Sequence, residues 1–391
     1  MVNIILNGTA FNVEDYGASI ESADNSTAFN NCITAASGNG YVFLPTAGDY
    51  LVDEITPLSN VDILGANGAR LVKLSGTANN YIIRTFSDVS NFKIYNVGFG
   101  TNRVSGISTQ ALIYFDGGDY DGIGVYNCNF TNTTAGCNHF FVKTATGKTV
   151  NNIDFNNNVV YSCGRIAFEV INHDNTTNFN ATNIRADNNT IHQSDSMGIS
   201  ISGAIDGLQC SGNYIKDATN IGIELVGTHN ANVVFNQFEG TIGSIISSSG
   251  IGLSTGSGIR LVGNKTIGKV NGRVYLDNAG DIYTLLNEIT MTDRLRFVGA
   301  NTSGSSYGDR IITEDVNAVI FDNSPNNSLD NGYYDNSGTD TNFSTIRAFN
   351  SGATGNSISN STIVKKAGGS YVDSQNGAGA VTDTNNTKTQ V

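Results

Sequence analysis

The sequence predicts an all-β fold: a right-handed parallel β-helix with a short N-terminal capping helix and a looser C-terminal β region. Three observations predict it. A pattern recurs between residues 60 and 300 with a period of about 24 to 31 residues, the mark of stacked repeats. Within each copy the apolar residues alternate, which is the period of a strand and not of a helix. Each copy can bury only one face alone, and stacking the copies buries a continuous core.

Residues 1–55 form the N-terminal cap of the solenoid. Phe11-Asn-Val-Glu-Asp-Tyr-Gly17 reads as a strand running into a turn. Ser26 is the expected N-cap of a helix near 27–36, whose Phe29, Cys32, Ile33 and Ala36 share one face at helical spacing. Gly38 and Gly40 stop it. Tyr41-Val-Phe-Leu-Pro45 and Asp49-Tyr-Leu-Val52 are short strands. A helix over the first coil would shield an otherwise open sheet end.

Residues 56–300 carry the coils. The best copies are Ile153-Asp-Phe-Asn-Asn-Asn-Val-Val160 with Ile166-Ala-Phe-Glu-Val170, Ile184-Arg-Ala-Asp-Asn-Asn-Thr-Ile191 with Met197-Gly-Ile-Ser-Ile201, and Leu208-Gln-Cys-Ser-Gly-Asn-Tyr-Ile215 with Ile221-Gly-Ile-Glu-Leu225. Asn suits their tight turns because it tolerates left-handed backbone, and equivalent Asn residues can stack as a ladder. Residues 301–391 loosen into long turns, final strands near 344–349 and 357–364, and a polar tail after Gly368 that is expected to fray or to order in an oligomer.

Composition fits this organisation and excludes other classes. The 391 residues include 53 Asn and 45 Gly against no Trp, and the net charge is −13. So few Lys and Arg argue against broad binding to a nucleic-acid backbone. No run approaches the ~20 apolar residues of a membrane span. The first residues lack the basic and apolar regions of a secretion signal. The five Cys are odd in number and unpaired in spacing, and Cys128, Cys163 and Cys210 lie within apolar patterns, so they read as buried thiols.

Phe11-Asn-Val-Glu-Asp-Tyr-Gly-Ala18, Asp24-Asn-Ser-Thr-Ala-Phe29, Gly40-Tyr-Val-Phe-Leu-Pro45 and Gly48-Asp-Tyr-Leu-Val52 resemble the N-terminal signature of pectate-lyase-like β-helix proteins. The resemblance covers about 45 residues, and the coil repeats extend it to about residue 300. It is specific for fold and not for function. The Asn-Thr-Asp, Asp-Asp and Gly-His-Gly triplets of polygalacturonases are missing, as are the Trp-linked Ile-Asp-His of pectate lyases and the Tyr-Gly-Phe-Asp-Pro-His of epimerases. The remaining similarity is to bacteriophage tailspikes. That likeness implies a virion-tail homotrimer that binds and cleaves a bacterial surface polysaccharide.

Counted from Val160, Ile191 and Ile215, the ninth residues are Glu169, Ser200 and Glu224. Their apolar neighbours would point inward and they outward, as one external column. His139 falls beneath them if no residue is inserted. Glutamates two coils apart have backbones about 9–10 Å apart, compatible with the ~6.5–9.5 Å carboxyl separation of inverting glycosidases. Glu169 and Glu224 are therefore the candidate catalytic pair, with Asp174 or Asp195 assisting. The plain alternative is two ordinary glutamates on a solvated sheet face. His173, Arg165, His139, Ser200 and Tyr161 are candidate substrate contacts. A second enzyme reading is β-elimination on a uronic-acid glycan by His173 or His139, with Arg165 neutralising the uronate. A third is a spike that binds without cutting. No cofactor or metal is expected, because no calcium-loop motif is present.

Overall fold

The computed structural model describes residues 6, 8–38, 40–74, 81–101, 111–131, 136–173, 179–250, 256–314, 316–337 and 344–391. The chain is a parallel β-solenoid with a single α-helix, Ser26–Ala36, among the described residues. That helix is not long and apolar enough to cross a membrane. By its contacts the chain divides into two compact units. One comprises Met1–Asp174 and Asn180–Ser200, the other Asn175–Phe179 and Ile201–Val391.

In the first unit every coil contributes strands that pair in parallel with the coils before and after. One inward column runs Tyr50, Leu71, Phe99, Phe130, Val160, Ile191. A second runs Ile94, Val125, Phe155, Ala186. A third runs Ile83, Ile113, Phe140, Phe168. Each of these residues is fully buried. The equivalent phenylalanines stack ring on ring, Phe99 on Phe130 at 5.0 Å and Phe140 on Phe168 at 5.3 Å. Offset stacks of this kind add ~0.5–1.5 kcal/mol beyond their area burial. They also bind neighbouring coils in one register.

The helix buries Ala28, Phe29, Cys32, Ile33 and Ala36, so the expected apolar face is real. Its start differs from expectation. Asn25 is the N-cap, and Ser26 is the first helical residue. Asp24 Oδ1 accepts from both the Ser26 backbone N–H and its hydroxyl, and the Asn25 side chain accepts instead from Ser19 N. All five cysteines are buried, and none is in a disulfide.

Asparagine does the turning. Asn96, Asn127, Asn157 and Asn188 take φ of 58°, 53°, 58° and 56° at equivalent corners of successive coils. The residue after the last two forms a buried ladder, in which Asn158 N and Nδ2 both donate to Asn189 Oδ1 at 2.9 and 3.1 Å.

In the second unit the ladder runs Asn213, Asn236, Asn264, Asn287, with each amide donating to the next oxygen at 2.9–3.0 Å. It then meets a carboxylate: Asn287 N and Nδ2 donate to Asp309 Oδ1, and the Thr284 and Ser306 hydroxyls donate to Asp309 Oδ2. The inward column of this unit is Ile223, Ile246, Val274, Leu295, Val319, Ile346. The polar tail is built into the solenoid: Thr382–Thr384 and Thr387–Gln390 pair with the preceding coil, and Asn386 Oδ1 accepts from Ser361 N at 2.7 Å. The β-branched threonines and a ladder asparagine let a polar segment continue the coil.

Candidate functional site

Glu169 sits on the strand Ile166–Ile171 between Phe168 and Val170, which point into the core. It is only 3% exposed. Arg165, four residues earlier, places Nη1 2.8 Å from Oε2 and Nη2 3.4 Å from Oε1. Asn138 Nδ2 also donates to Oε2, while Asn138 Oδ1 accepts from Ile166 N at 3.1 Å. A guanidinium fork and an amide thus fix this carboxylate from two coils.

The residue beneath Glu169 is Phe141, not His139. From Val160 to Glu169 is nine positions, whereas from its partner Phe130 to Phe141 is eleven. Two extra residues in the preceding coil move His139 off the column. It lies instead in the core, fully buried, with its ring stacked on Phe130 at 5.1 Å and no hydrogen-bond partner at either nitrogen. Burial pushes its pKa down to about 3. A histidine so enclosed is a core ring and does not reach a substrate.

The column below Glu169 is aromatic. In register it runs Arg84, Tyr114, Phe141, Glu169. Tyr81 stacks on Tyr114 at 5.1 Å, and Tyr114 packs on Phe141 at 5.1 Å. Phe86, 58% exposed, meets Tyr114 edge-on, and Arg84 lies over the Tyr81 and Phe86 rings at 4.7 and 4.9 Å. The Tyr114 hydroxyl donates to Asp116 Oδ2 at 2.8 Å. Burial, reinforced by Asp116, raises its pKa. Sequence spacing did not single out Tyr81, Arg84, Phe141 or Asn138. Only the strand register aligns them.

The other expected residues scatter. Ser200 is buried. His173 is exposed, and its backbone N–H donates to Thr144 Oγ1 at 2.9 Å. Asp195 is exposed on the turn after Ser194. Tyr161 is exposed, on a different strand stack from Glu169, and lies flat on His192 at 5.1 Å. Asp174 lies outside the described residues. Glu224 belongs to the second unit, half-buried and in register with Ser247. Among the described residues no group of three or more His, Cys, Asp or Glu is arranged to hold a metal.

This fold is shared with known proteins of the right-handed β-helix class. No protein-family model and no curated protein matches the chain. Among solved structures, it is similar to the surface protein and adhesin PfbA of Streptococcus pneumoniae (14% identity, TM-score 0.52, 97% of each chain covered). It is similar to the catalytic unit of a GH87 alpha-1,3-glucanase from Streptomyces thermodiastaticus (16%, TM-score 0.56, 98% of this chain and 70% of that one). It is also similar to a tailspike protein mutant of E. coli bacteriophage HK620 in complex with a pentasaccharide (10%, TM-score 0.51, 93% and 78%). At these identities the likeness is one of fold.

Proposed function

We infer that the protein is a tailspike-like β-helix that binds a bacterial surface polysaccharide outside the cell and cleaves it by glycoside hydrolysis. The observation that carries this reading is the Arg165–Asn138 clamp on Glu169 at the end of an aromatic column. Tyr114 and Phe141 are buried, so the ring faces this column offers a sugar are those of the exposed Phe86 and the half-buried Tyr81, and a carboxylate beside them can serve as base or nucleophile. Hydrolysis needs a second carboxyl that stays protonated. Sequence spacing assigns that part to Glu224, with Asp195 or Asp174 assisting. Solved structures of the same fold include a glucanase and a tailspike bound to a pentasaccharide, which supports a carbohydrate ligand. Tailspike likeness also makes a homotrimer in a virion tail the assembly to test.

A second reading is a spike that holds its glycan without cutting. The near-complete burial of Glu169 favours it. Product analysis on a panel of purified capsules and O-chains separates these readings. New reducing ends without ultraviolet absorbance, abolished in Glu169→Gln and Glu224→Gln while binding persists, support hydrolysis. Both signals together point to elimination, with His173 as the exposed base. Binding without either signal leaves the adhesin.

A further inference from the structure

The second unit carries a groove of about 300 Å³ whose walls include Arg273, Arg294, Arg296 and Arg347. These are four of the chain's eleven arginines, gathered in one place on a protein of net charge −13. The strand register explains the gathering. An outward column runs Ser247, Tyr275, Arg296, Ile320, Arg347 on consecutive coils. Arg296 and Arg347 are therefore two coils apart, about 10 Å at the usual strand spacing. Arg273 and Arg294 stand just ahead of the strands that carry Tyr275 and Arg296.

Acids pair with three of the four arginines. Arg294 Nε pairs with Asp293 at 2.5 Å, and Arg296 Nη2 pairs with Asp322. Arg296 Nε is buried with no hydrogen-bond partner. Arg347 Nε lies 3.9 Å from Asp373. Arg273 has no carboxylate partner among the described residues. Its Nε contacts Ser244 Oγ at 3.4 Å, and its guanidinium lies over the Tyr275 ring at 4.7 Å, with Arg296 near the same ring at 5.8 Å. Phe349 contributes a ring to the groove's lining.

We propose that this groove is a subsite for an acidic sugar, with the arginines taking its carboxylate and the Phe349 ring packing against its apolar face. The inference rests on the polysaccharide reading above and names the chemistry of the chain it would hold. Guanidinium forks match carboxylates in a bidentate fashion and are weakly hydrated, so they suit a partly closed groove. Guanidinium groups repeated along the coil axis suit a polymer whose charges also repeat. A rigid parallel sheet sets that repeat without any rearrangement on binding.

The test is calorimetric titration of the wild type with three probes: an oligouronate, the same oligosaccharide with its carboxyls reduced to alcohols, and inorganic phosphate. The acidic oligosaccharide is expected to bind at least tenfold more tightly than its reduced form and more tightly than phosphate. Arg273→Gln and Arg294→Gln should each remove that preference, and Arg273→Lys should restore part of it. Thermal melting shows whether each variant is folded. Phosphate binding as tightly as the oligouronate would overturn the proposal in favour of a plain anion site. Equal binding of the acidic and reduced forms, or none by any probe, would also overturn it. The capsule panel judges the polysaccharide reading separately, because a neutral glycan can be bound and cut without this groove.

Discussion

Arg165 Nη1 stands 2.8 Å from Glu169 Oε2, and the two residues sit four apart across a turn that opens one strand. The carboxylate is buried while the guanidinium is 43% exposed. The pair is therefore asymmetric: Arg165 can be hydrated without its partner, and Glu169 cannot. Arg165→Ala should destabilise the fold by about 3 kcal/mol, the lower end for a buried pair that loses one member. Adding Glu169→Gln should recover much of that loss. A double-mutant cycle in urea measures both. An additive result would mean that the contact contributes nothing.

His139 gives a pH signature. Its folded pKa, about 3, lies below the unfolded value near 6.5. The unfolded chain therefore takes up the proton first. The contribution is complete above about pH 6.5 and is lost as pH falls towards 3, at up to about 1.4 kcal/mol per pH unit. His139→Phe should flatten this dependence. Melting temperatures between pH 4 and 7 provide the check.

Asp309 acts in the opposite sense. Burial raises its carboxyl pKa above the ordinary value, although four hydrogen bonds oppose that shift. Its favourable contribution belongs to low pH and is lost as pH rises through the raised pKa. Asp309→Asn should therefore be neutral or stabilising by about 1 kcal/mol at pH 7, with Thr284 and Ser306 rotating to accept from the new amide. A clear loss of stability at pH 7 would show that the carboxylate itself is required.

Within the ladder, Asn264 Nδ2 donates to Asn287 Oδ1 and Val233 O, and its Oδ1 accepts from Asn236 N and Nδ2. Asn264→Ala removes all four contacts from a fully buried site. It should cost at least about 2 kcal/mol, because the neighbouring donors and acceptors are left dry. Chemical denaturation reads this directly.

Phe235 occupies the corner where most other coils place Gly or Asn and one places Leu286, at φ 56° with 64% of its surface exposed. A bulky residue is strained in that region. Phe235→Asn should raise stability by about 1 kcal/mol, seen as a higher melting temperature. Lower stability would mean that its packing over Gly263 outweighs the strain.

The solenoid was legible because its signals repeat. Phe99, Phe130, Val160 and Ile191 each announce the same inward position, and a local error in one coil does not alter the others. The helix face was legible for a similar reason, since Phe29, Cys32, Ile33 and Ala36 follow one period. Single contacts were harder. Asn25 and Ser26 are both good caps by residue type, and only the bonds to Asp24 and Ser19 decide between them. His139 was misplaced because a two-residue insertion changes which strand neighbour it faces, and composition carries no trace of that. The arginine groove was invisible for the opposite reason: residues 273, 294, 296 and 347 are far apart along the chain and meet only through coil register.

The single acid in the asparagine ladder also bears on how such a chain assembles. Coils of similar length and similar corners invite slippage, in which one segment docks a rung too early. Asp309 is surrounded by hydroxyls from Thr284 and Ser306, and the next rung offers Gly332, which has no side chain, in its place. A segment docked one rung out would leave those hydroxyls facing the wrong group and strand a charge among amides. The carboxylate thus acts as an address label within a repetitive text, raising the energy of misthreaded arrangements relative to the native one.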